Sequence, residues 1–171
     1  MAPHTPPRSG RPGEAVAPLG LTARVALAIA TVGGAGYAPL APGTVGSALT
    51  ALGLWLAPPS RTGRAVFLVA VTALGIWAAD RVERTLGRKD PGAIVIDEVA
   101  GMTLAVLPFP PTWPVLASGF VLFRIFDIWK PFPANDAQRL SGGLGVMADD
   151  LVAGLYALLV LAALRAGLGW A

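Results

Sequence analysis

Ala93-Ile-Val-Ile-Asp-Glu-Val-Ala-Gly-Met-Thr-Leu-Ala-Val-Leu107 is an apolar stretch that carries two adjacent carboxylates, Asp97 and Glu98. A charged side chain at the centre of a membrane costs roughly 2.5–3.5 kcal/mol on insertion scales, so carboxylates in such a setting need partners, most simply cations. The turn Asp90-Pro91-Gly92 precedes the stretch, and Pro108 to Pro111 breaks it. We therefore expect a helix that carries a polar site and is too short for an ordinary membrane span.

The rest of the chain is also unusually apolar. Of its 171 residues, 54% are hydrophobic and 13% charged, and its mean hydropathy is +0.64. This length suits one domain, and its five or so hydrophobic segments are solvated more simply by a bilayer than by water. The composition predicts an all-α fold, a compact helical membrane protein with about four to six hydrophobic helices, some of which can be re-entrant.

Composition also excludes several kinds of chemistry. Cysteine is absent, which rules out disulfides, thiol catalysis and cysteine-ligated metals. The single histidine, His4, lies in a tail rich in proline and arginine, so any metal in the body of the protein must be held by oxygen. The net charge is +3, but the basic residues are dispersed and flank apolar segments, which favours a membrane of anionic lipid over nucleic acid as the partner.

Prolines and glycines divide the chain into segments. Residues 1–18 are predicted to be a disordered tail, and residues 19–171 one membrane-embedded helical domain. Tyr37 to Ser47 is predicted to be a loop, with Thr44 or Ser47 capping the helix that runs to Leu56. The other predicted helices are 19–35, 65–79, 93–107, 115–129 and 151–168. The segment 131–145 is polar and rich in turns.

Two further groups of charges lie in or beside apolar segments. Arg124, Asp127 and Lys130 are spaced i, i+3, i+6, which places them on one face of a helix, either as an internal ion-pair ladder or as groups that bind one ligand. Asp149 and Asp150 precede the last predicted helix, where N-capping explains one of them but not both. The glycines at 142, 143 and 145 would let the backbone approach a phosphate or an ion.

Together these carboxylates suit a hard divalent cation. Oxygen ligands favour Mg²⁺ or Mn²⁺, and Mg²⁺ commonly uses one or two carboxylates together with water and substrate phosphate. The loop from Ala41 to Ser47 offers amides and two hydroxyls at a helix N-terminus, which is either a generic anion cradle or an ordinary capped turn. The candidate metal-binding residues are Asp97, Glu98, Asp127, Asp149 and Asp150.

Four blocks of the sequence, between about Gly36 and Ala157, resemble the phosphatidylglycerophosphatase A family. They are Pro39-Leu-Ala-Pro-Gly-Thr-Val-Gly-Ser47, Asp90-Pro91 with Ile94 to Met102, Phe123-Arg-Ile-Phe-Asp-Ile-Trp-Lys-Pro131, and Gly142 to Gly154. The resemblance implies a largely helical, multi-pass enzyme of the bacterial cytoplasmic membrane. It also implies Mg²⁺-dependent hydrolysis of phosphatidylglycerophosphate to phosphatidylglycerol and phosphate, in glycerophospholipid biosynthesis.

The resemblance further implies roles for the residues above. The five carboxylates would hold the metal and, with Lys130, form the catalytic group. Arg124 and Lys130 would neutralise the phosphate, and Thr44 and Ser47 would help to position it. Water and an aspartyl-phosphate route through Asp97 or Asp149 both remain open as the way the phosphoester is cleaved.

Three other interpretations remain open from the residues. Intramembrane carboxylates also line cation transporters and channels, although here they cluster at segment ends and beside loops. A related lipid phosphatase would use the same metal and phosphate groups on another substrate, whereas the chain lacks the Asp-Gly-x-x-Ala-Arg pattern of CDP-alcohol phosphotransferases and the histidines of PAP2-type phosphatases. A purely structural membrane protein is the third, and the placement of the charges argues against it.

Overall fold

The computed structural model describes residues 19–168, which fold into seven α-helices and one 3₁₀ turn with no strand among them. This confirms the predicted all-helical fold. The tail of residues 1–18 lies outside the described residues. The helices are α1 (Leu21–Ala30), α2 (Pro42–Leu56), α3 (Arg61–Leu86), α4 (Ile96–Ala105), α5 (Trp113–Trp129), α6 (Ala134–Ala137) and α7 (Gly143–Leu168), and the 3₁₀ turn is Ala35–Tyr37.

Helix α2 begins at Pro42, inside the predicted loop. Proline suits the first turn of a helix, where its missing N–H would have no helical partner. Thr44 and Ser47 therefore lie inside the helix, and no side chain caps it. The Ser47 hydroxyl donates to the Gly43 carbonyl at 2.8 Å, within the helix. The predicted loop up to residue 47 and the predicted capping role of these two residues were wrong.

Helix α7 also begins earlier than predicted, at Gly143. A Cβ added at Gly143 would collide with the carbonyl of Ile76 in α3, and one at Gly145 with the carbonyl of Leu140. These glycines therefore serve close backbone packing, which sequence alone cannot distinguish from an approach to a ligand. Asp149 and Asp150 lie nearly two turns inside the helix, so the predicted N-capping role was wrong.

Two of the described helices, α3 and α7, are long and apolar enough to cross a membrane by length and composition. Helix α3 has 26 residues and exceeds the predicted segment 65–79 at both ends. Ser60 caps its start by accepting from the Gly63 amide at 3.0 Å, and Gly87, at φ 62°, ends it. Helix α4 has only 10 residues and rises about 15 Å, so it is too short to span a bilayer core.

Helix α4 is the central helix, with eight of its ten residues buried. Its backbone approaches that of α7 where two glycines meet. A Cβ at Gly101 would lie 2.7 Å from the carbonyl oxygen of Asp150, and one at Gly154 would collide with the Gly101 carbonyl. Asp97 lies four residues before Gly101, and Asp150 lies four residues before Gly154. Each aspartate is therefore one helical turn from the crossing, on the same side of it. The glycine crossing therefore brings the two carboxylates together.

Helices α2 and α5 run antiparallel and connect the two ends of the molecule. At one end the rings of Trp55 and Trp113 lie 6.1 Å apart. At the other end, Gly43 of α2 lies against Arg124 of α5. The buried carboxylates lie at this second end, which we call the polar end of the bundle.

Candidate active site

Three carboxylates from two helices meet at the polar end. Asp97, Glu98 and Asp150 each offer an oxygen, and these oxygens lie within 4.8 Å of one another. Asp97 is 9% exposed and Asp150 is 3% exposed. Asp97 and Glu98 occupy the first turn of α4, where the helix dipole favours negative charge. The fold thus joins residues more than fifty positions apart into one potential ligand set.

Helix α5 contributes an ion pair to the same cluster. Arg124 Nη1 lies 2.5 Å from Asp127 Oδ2 and 3.9 Å from Glu98 Oε1. The Asp127 side chain in turn lies next to that of Asp150. The ladder interpretation therefore holds for Arg124 and Asp127, and the pair also borders the three carboxylates. The predicted role of Arg124 in neutralising a phosphate stays a prediction.

Lys130 forms a second ion pair, with a different helix. It ends α5 with a left-handed backbone at φ 47°, and its Nζ donates to Asp149 Oδ2 at 2.5 Å. Burial acts to lower the pKa of Lys130, but the hydrogen bond and the charge of Asp149 outweigh burial and raise it. Lys130 is therefore a cation that Asp149 holds at the edge of the cluster.

The N-terminus of α2 forms another wall of the site. A Cβ at Gly43 would lie 3.0 Å from both Glu98 Cδ and Arg124 Nη1, so only a glycine fits here without displacing them. The first amides of a helix attract anions. Thr44 is half-buried in the same turn, and Ser47 is fully buried one turn further. The predicted contribution of Thr44 and Ser47 to positioning a phosphate stays a prediction.

The three carboxylates, the neighbouring Asp127 and Asp149 and the cations Arg124 and Lys130 together form one cluster, which has an excess of negative charge. Five carboxylates and two cations leave three formal negative charges if all are ionised. Within residues 19–168, three buried carboxylate oxygens of the cluster have no hydrogen-bond partner: Glu98 Oε2, Asp149 Oδ1 and Asp150 Oδ2. Buried polar atoms without partners are rare in native proteins. An oxygen-only donor set of this kind fits a hard divalent cation.

The pKa values of the two carboxylates in the first turn of α4 are raised, as expected where negative charge is in excess. Burial, followed by the charge of Glu98, raises the pKa of Asp97 well above its usual range. Burial also raises the pKa of Glu98, although its hydrogen bond to Asp97 opposes the rise. Both carboxylates are thus disfavoured in the ionised form unless positive charge is brought to them.

Three glycines that shape the site were not identified from the sequence. Gly43 makes room for Glu98 and Arg124, whereas Gly101 and Gly154 allow α4 to approach α7. Gly101 and Gly154 occur inside apolar segments that fold as helices, where glycine is unfavourable by roughly 1 kcal/mol relative to alanine. Such a glycine usually has a packing reason, but its partner is visible only in three dimensions. Gly43 gave no such signal, because it lies in a segment that was predicted to be a loop.

Comparisons with known proteins connect this arrangement to one family. The family model described as phosphatidylglycerophosphatase A matches residues 28–165. The chain is 37% identical to the phosphatidylglycerophosphatase A of Escherichia coli over 126 residues, covering 71% of this chain and 73% of that protein. It is 37% identical to the Haemophilus influenzae protein of the same name, covering 77% and 83%.

A third relative carries a different name. The chain is 38% identical over 148 residues to a Bacteroides thetaiotaomicron protein named as a candidate phosphatidylinositol-3-phosphatase, covering 80% of this chain and 91% of that one. No solved structure matches the chain significantly.

Proposed function

The chain belongs to the phosphatidylglycerophosphatase A family, and from that premise we propose that it hydrolyses the phosphomonoester of phosphatidylglycerophosphate in a Mg²⁺-dependent reaction. The products are phosphatidylglycerol and inorganic phosphate. One observation carries the proposal. Asp97, Glu98 and Asp150 converge beside the guanidinium of Arg124, and buried oxygens of Glu98 and Asp150 have no hydrogen-bond partner.

The five carboxylates supply the oxygen ligands for the metal. Asp97, Glu98 and Asp150 are the proposed core of that set, because their oxygens already lie within 4.8 Å of one another. Asp127 and Asp149 flank the core, and each is tied to a cation, Arg124 and Lys130 respectively. Bound Mg²⁺ would polarise the phosphoryl oxygens and lower the pKa of a water molecule.

The cations and the α2 N-terminus act on the phosphate itself. Arg124 lies between Glu98 and Asp127, so its guanidinium can donate to phosphate oxygens while the carboxylates fix its orientation. Lys130 remains protonated and is held by Asp149. Groups held in place before the reaction stabilise developing charge without reorganising. The amides at the start of α2 add partial positive charge from a third side.

The identity of the nucleophile is a separate question. Hydrolysis by water needs no covalent intermediate and suits a carboxylate-rich site. An aspartyl-phosphate through Asp97 or Asp149 is the alternative. Acid quenching of the enzyme with ³²P-labelled substrate distinguishes the two, because only the second route leaves label on the protein.

The proposed activity on a lipid also implies that the protein lies in a membrane. Helices α3 and α7 are long and apolar enough to cross a bilayer, and the lipid substrate resides in one. We propose that the enzyme is a multi-pass protein of the bacterial cytoplasmic membrane. Expression of a fusion protein followed by carbonate extraction of membranes tests the integral association.

The name of the Bacteroides relative favours one second candidate, a related lipid phosphomonoesterase with a different head group. The proposed phosphate site would accept a phosphomonoester on either lipid, so the head group must be tested directly. Phosphatidylinositol 3-phosphate is therefore included beside phosphatidylglycerophosphate in the assay.

The decisive experiment measures phosphate release by purified protein in detergent micelles, with Mg²⁺ and with EDTA. Wild type and Asp97→Asn are compared with Asp136→Asn, whose carboxylate pairs with Arg139 at the surface outside the cluster. We expect metal-dependent release that is lost in Asp97→Asn and kept in Asp136→Asn. Folded wild type that releases no phosphate from either lipid would refute the proposal, and cation flux in liposomes would then favour a transporter.

A further inference from the structure

An apolar groove of about 340 Å³ lies between α2 and α5. All the side chains that line it are apolar. Ala48, Ala51 and Leu52 form the α2 wall, and Trp113, Ala117 and Phe120 belong to the α5 wall. These are the same two helices that carry Gly43 and Arg124 into the candidate active site.

The α5 wall continues directly from the phosphate-facing cation. Phe120, Ala117 and Trp113 lie four, seven and eleven residues before Arg124, which is the spacing of a single helix face. The first of these positions is about 6 Å along the helix axis from Arg124, and Ala117 is about 10 Å away. An anion at Arg124 therefore stands at the mouth of this apolar stripe.

The α2 wall shows the same continuity. Ser47 and Ala51 follow Gly43 at i+4 and i+8, so the helix face that meets Glu98 and Arg124 turns gradually into the groove wall. A ligand that places a charged group between Gly43 and Arg124 and continues between the helices must be polar near that group and apolar further along; in phosphatidylglycerophosphate a glycerol and a phosphodiester separate the terminal phosphate from the acyl chains. A phospholipid has this chemistry.

We propose that the groove between α2 and α5 binds an acyl chain of the phospholipid substrate while the phosphate occupies the carboxylate and Arg124 site. The inference rests on the proposed function and adds to it a specific subsite for the hydrocarbon. Binding there would orient the phosphomonoester toward the active site and make turnover dependent on acyl-chain length.

A second apolar cavity, of about 310 Å³, flanks the other side of α2 and is lined by Gly53, Phe67 and Val99 among others. It has no wall from α5, the helix that carries Arg124 and Lys130. A Cβ at Gly53 meets nothing within 4 Å, so a larger side chain can occupy this cavity without a clash at that atom. The second cavity therefore provides a matched comparison on the same helix.

The test fills each cavity with a leucine and measures chain-length selectivity. Ala117→Leu and Ala48→Leu fill the proposed groove, and Gly53→Leu fills the second cavity. For each purified, folded variant, kcat/KM is measured with dioleoyl and with dihexanoyl phosphatidylglycerophosphate, whose short chains fill less of the groove. Loss of contact for about two methylenes predicts a roughly tenfold fall in the dioleoyl-to-dihexanoyl ratio for both groove variants.

An unchanged ratio in both groove variants would overturn the inference, and so would an equal fall in Gly53→Leu. In either case hydrolysis by wild type would leave the proposed function standing. Wild type that hydrolyses neither lipid would remove the proposed function, and the acyl-chain subsite with it.

Discussion

Gly43→Ala is a substitution that tests the active site without removing any functional group. The added Cβ would lie 3.0 Å from Glu98 Cδ and from Arg124 Nη1, and closer still to Glu98 Oε1. Carbon atoms pack favourably at about 3.5–4.0 Å, so the Glu98 carboxylate must move by roughly 1 Å. Because the carboxylate is the end of a flexible side chain, it can move while the helices stay in place.

The expected result separates activity from stability. A misplacement of about 1 Å in a catalytic arrangement can lower turnover roughly 100-fold. The clash at Gly43 is with the ends of the Glu98 and Arg124 side chains and not with backbone, so its cost to folding is small. We therefore expect kcat/KM for phosphate release to fall about 100-fold while the thermal unfolding temperature in detergent does not decrease.

Gly53→Ala is the matched control, because it lies in the same helix and its Cβ would meet nothing within 4 Å. Because Gly53 lies in the helix interior, its replacement by alanine should raise the free energy of unfolding by roughly 0.5–1 kcal/mol and leave turnover at the wild-type value. If Gly43→Ala were as active as Gly53→Ala, the position of Glu98 would not matter for the reaction, and its assignment to the site would be refuted.

Three further predictions concern the cations, the metal and the helix crossing. Lys130→Met should lower turnover by on the order of 100-fold through loss of a preorganised positive charge, and Lys130→Arg should restore part of it; equal activity of all three proteins would contradict this role. Mg²⁺ at about 100 times its Kd should raise the free energy of unfolding by about 2.7 kcal/mol, a shift that scanning calorimetry should find for wild type but not for Asp150→Asn. Gly101→Ala should lower stability by roughly 1–3 kcal/mol through overpacking, because its Cβ would lie 2.7 Å from the Asp150 carbonyl oxygen and from Phe123 Cζ. Gly167→Ala, where a Cβ meets nothing within 4 Å, is the control for that measurement and should show no such loss.

Much of the secondary structure was predictable, because prolines and glycines interrupt apolar runs. The breaks at Pro58-Pro59 and at Pro108 to Pro111 coincide with the ends of α2 and α4. The errors occurred where a residue has two structural uses. Pro42 was assigned to a loop but starts a helix. Gly143 was read as a position where the backbone could approach a phosphate or an ion, but it starts α7 and packs against α3.

The candidate site shows a similar division. All five carboxylates and both cations were identified from the sequence, because charged residues in apolar segments are costly and stand out. Their pairing was not predictable. Lys130 was grouped with Asp127 by helical spacing, but its backbone leaves the helix and its ammonium pairs with Asp149 of α7.

The sequence by itself determined that this chain is helical, apolar and limited to oxygen ligands for a metal, because these properties depend only on which side chains are present and how they are spaced. The tertiary structure decided which carboxylates converge. Asp97 and Asp150 meet because Gly101 and Gly154 allow α4 and α7 to approach one turn away. Whether two distant segments meet depends on how closely their backbones can pack. That distance is a property of the packed helix pair, so neither segment of the sequence reveals it alone.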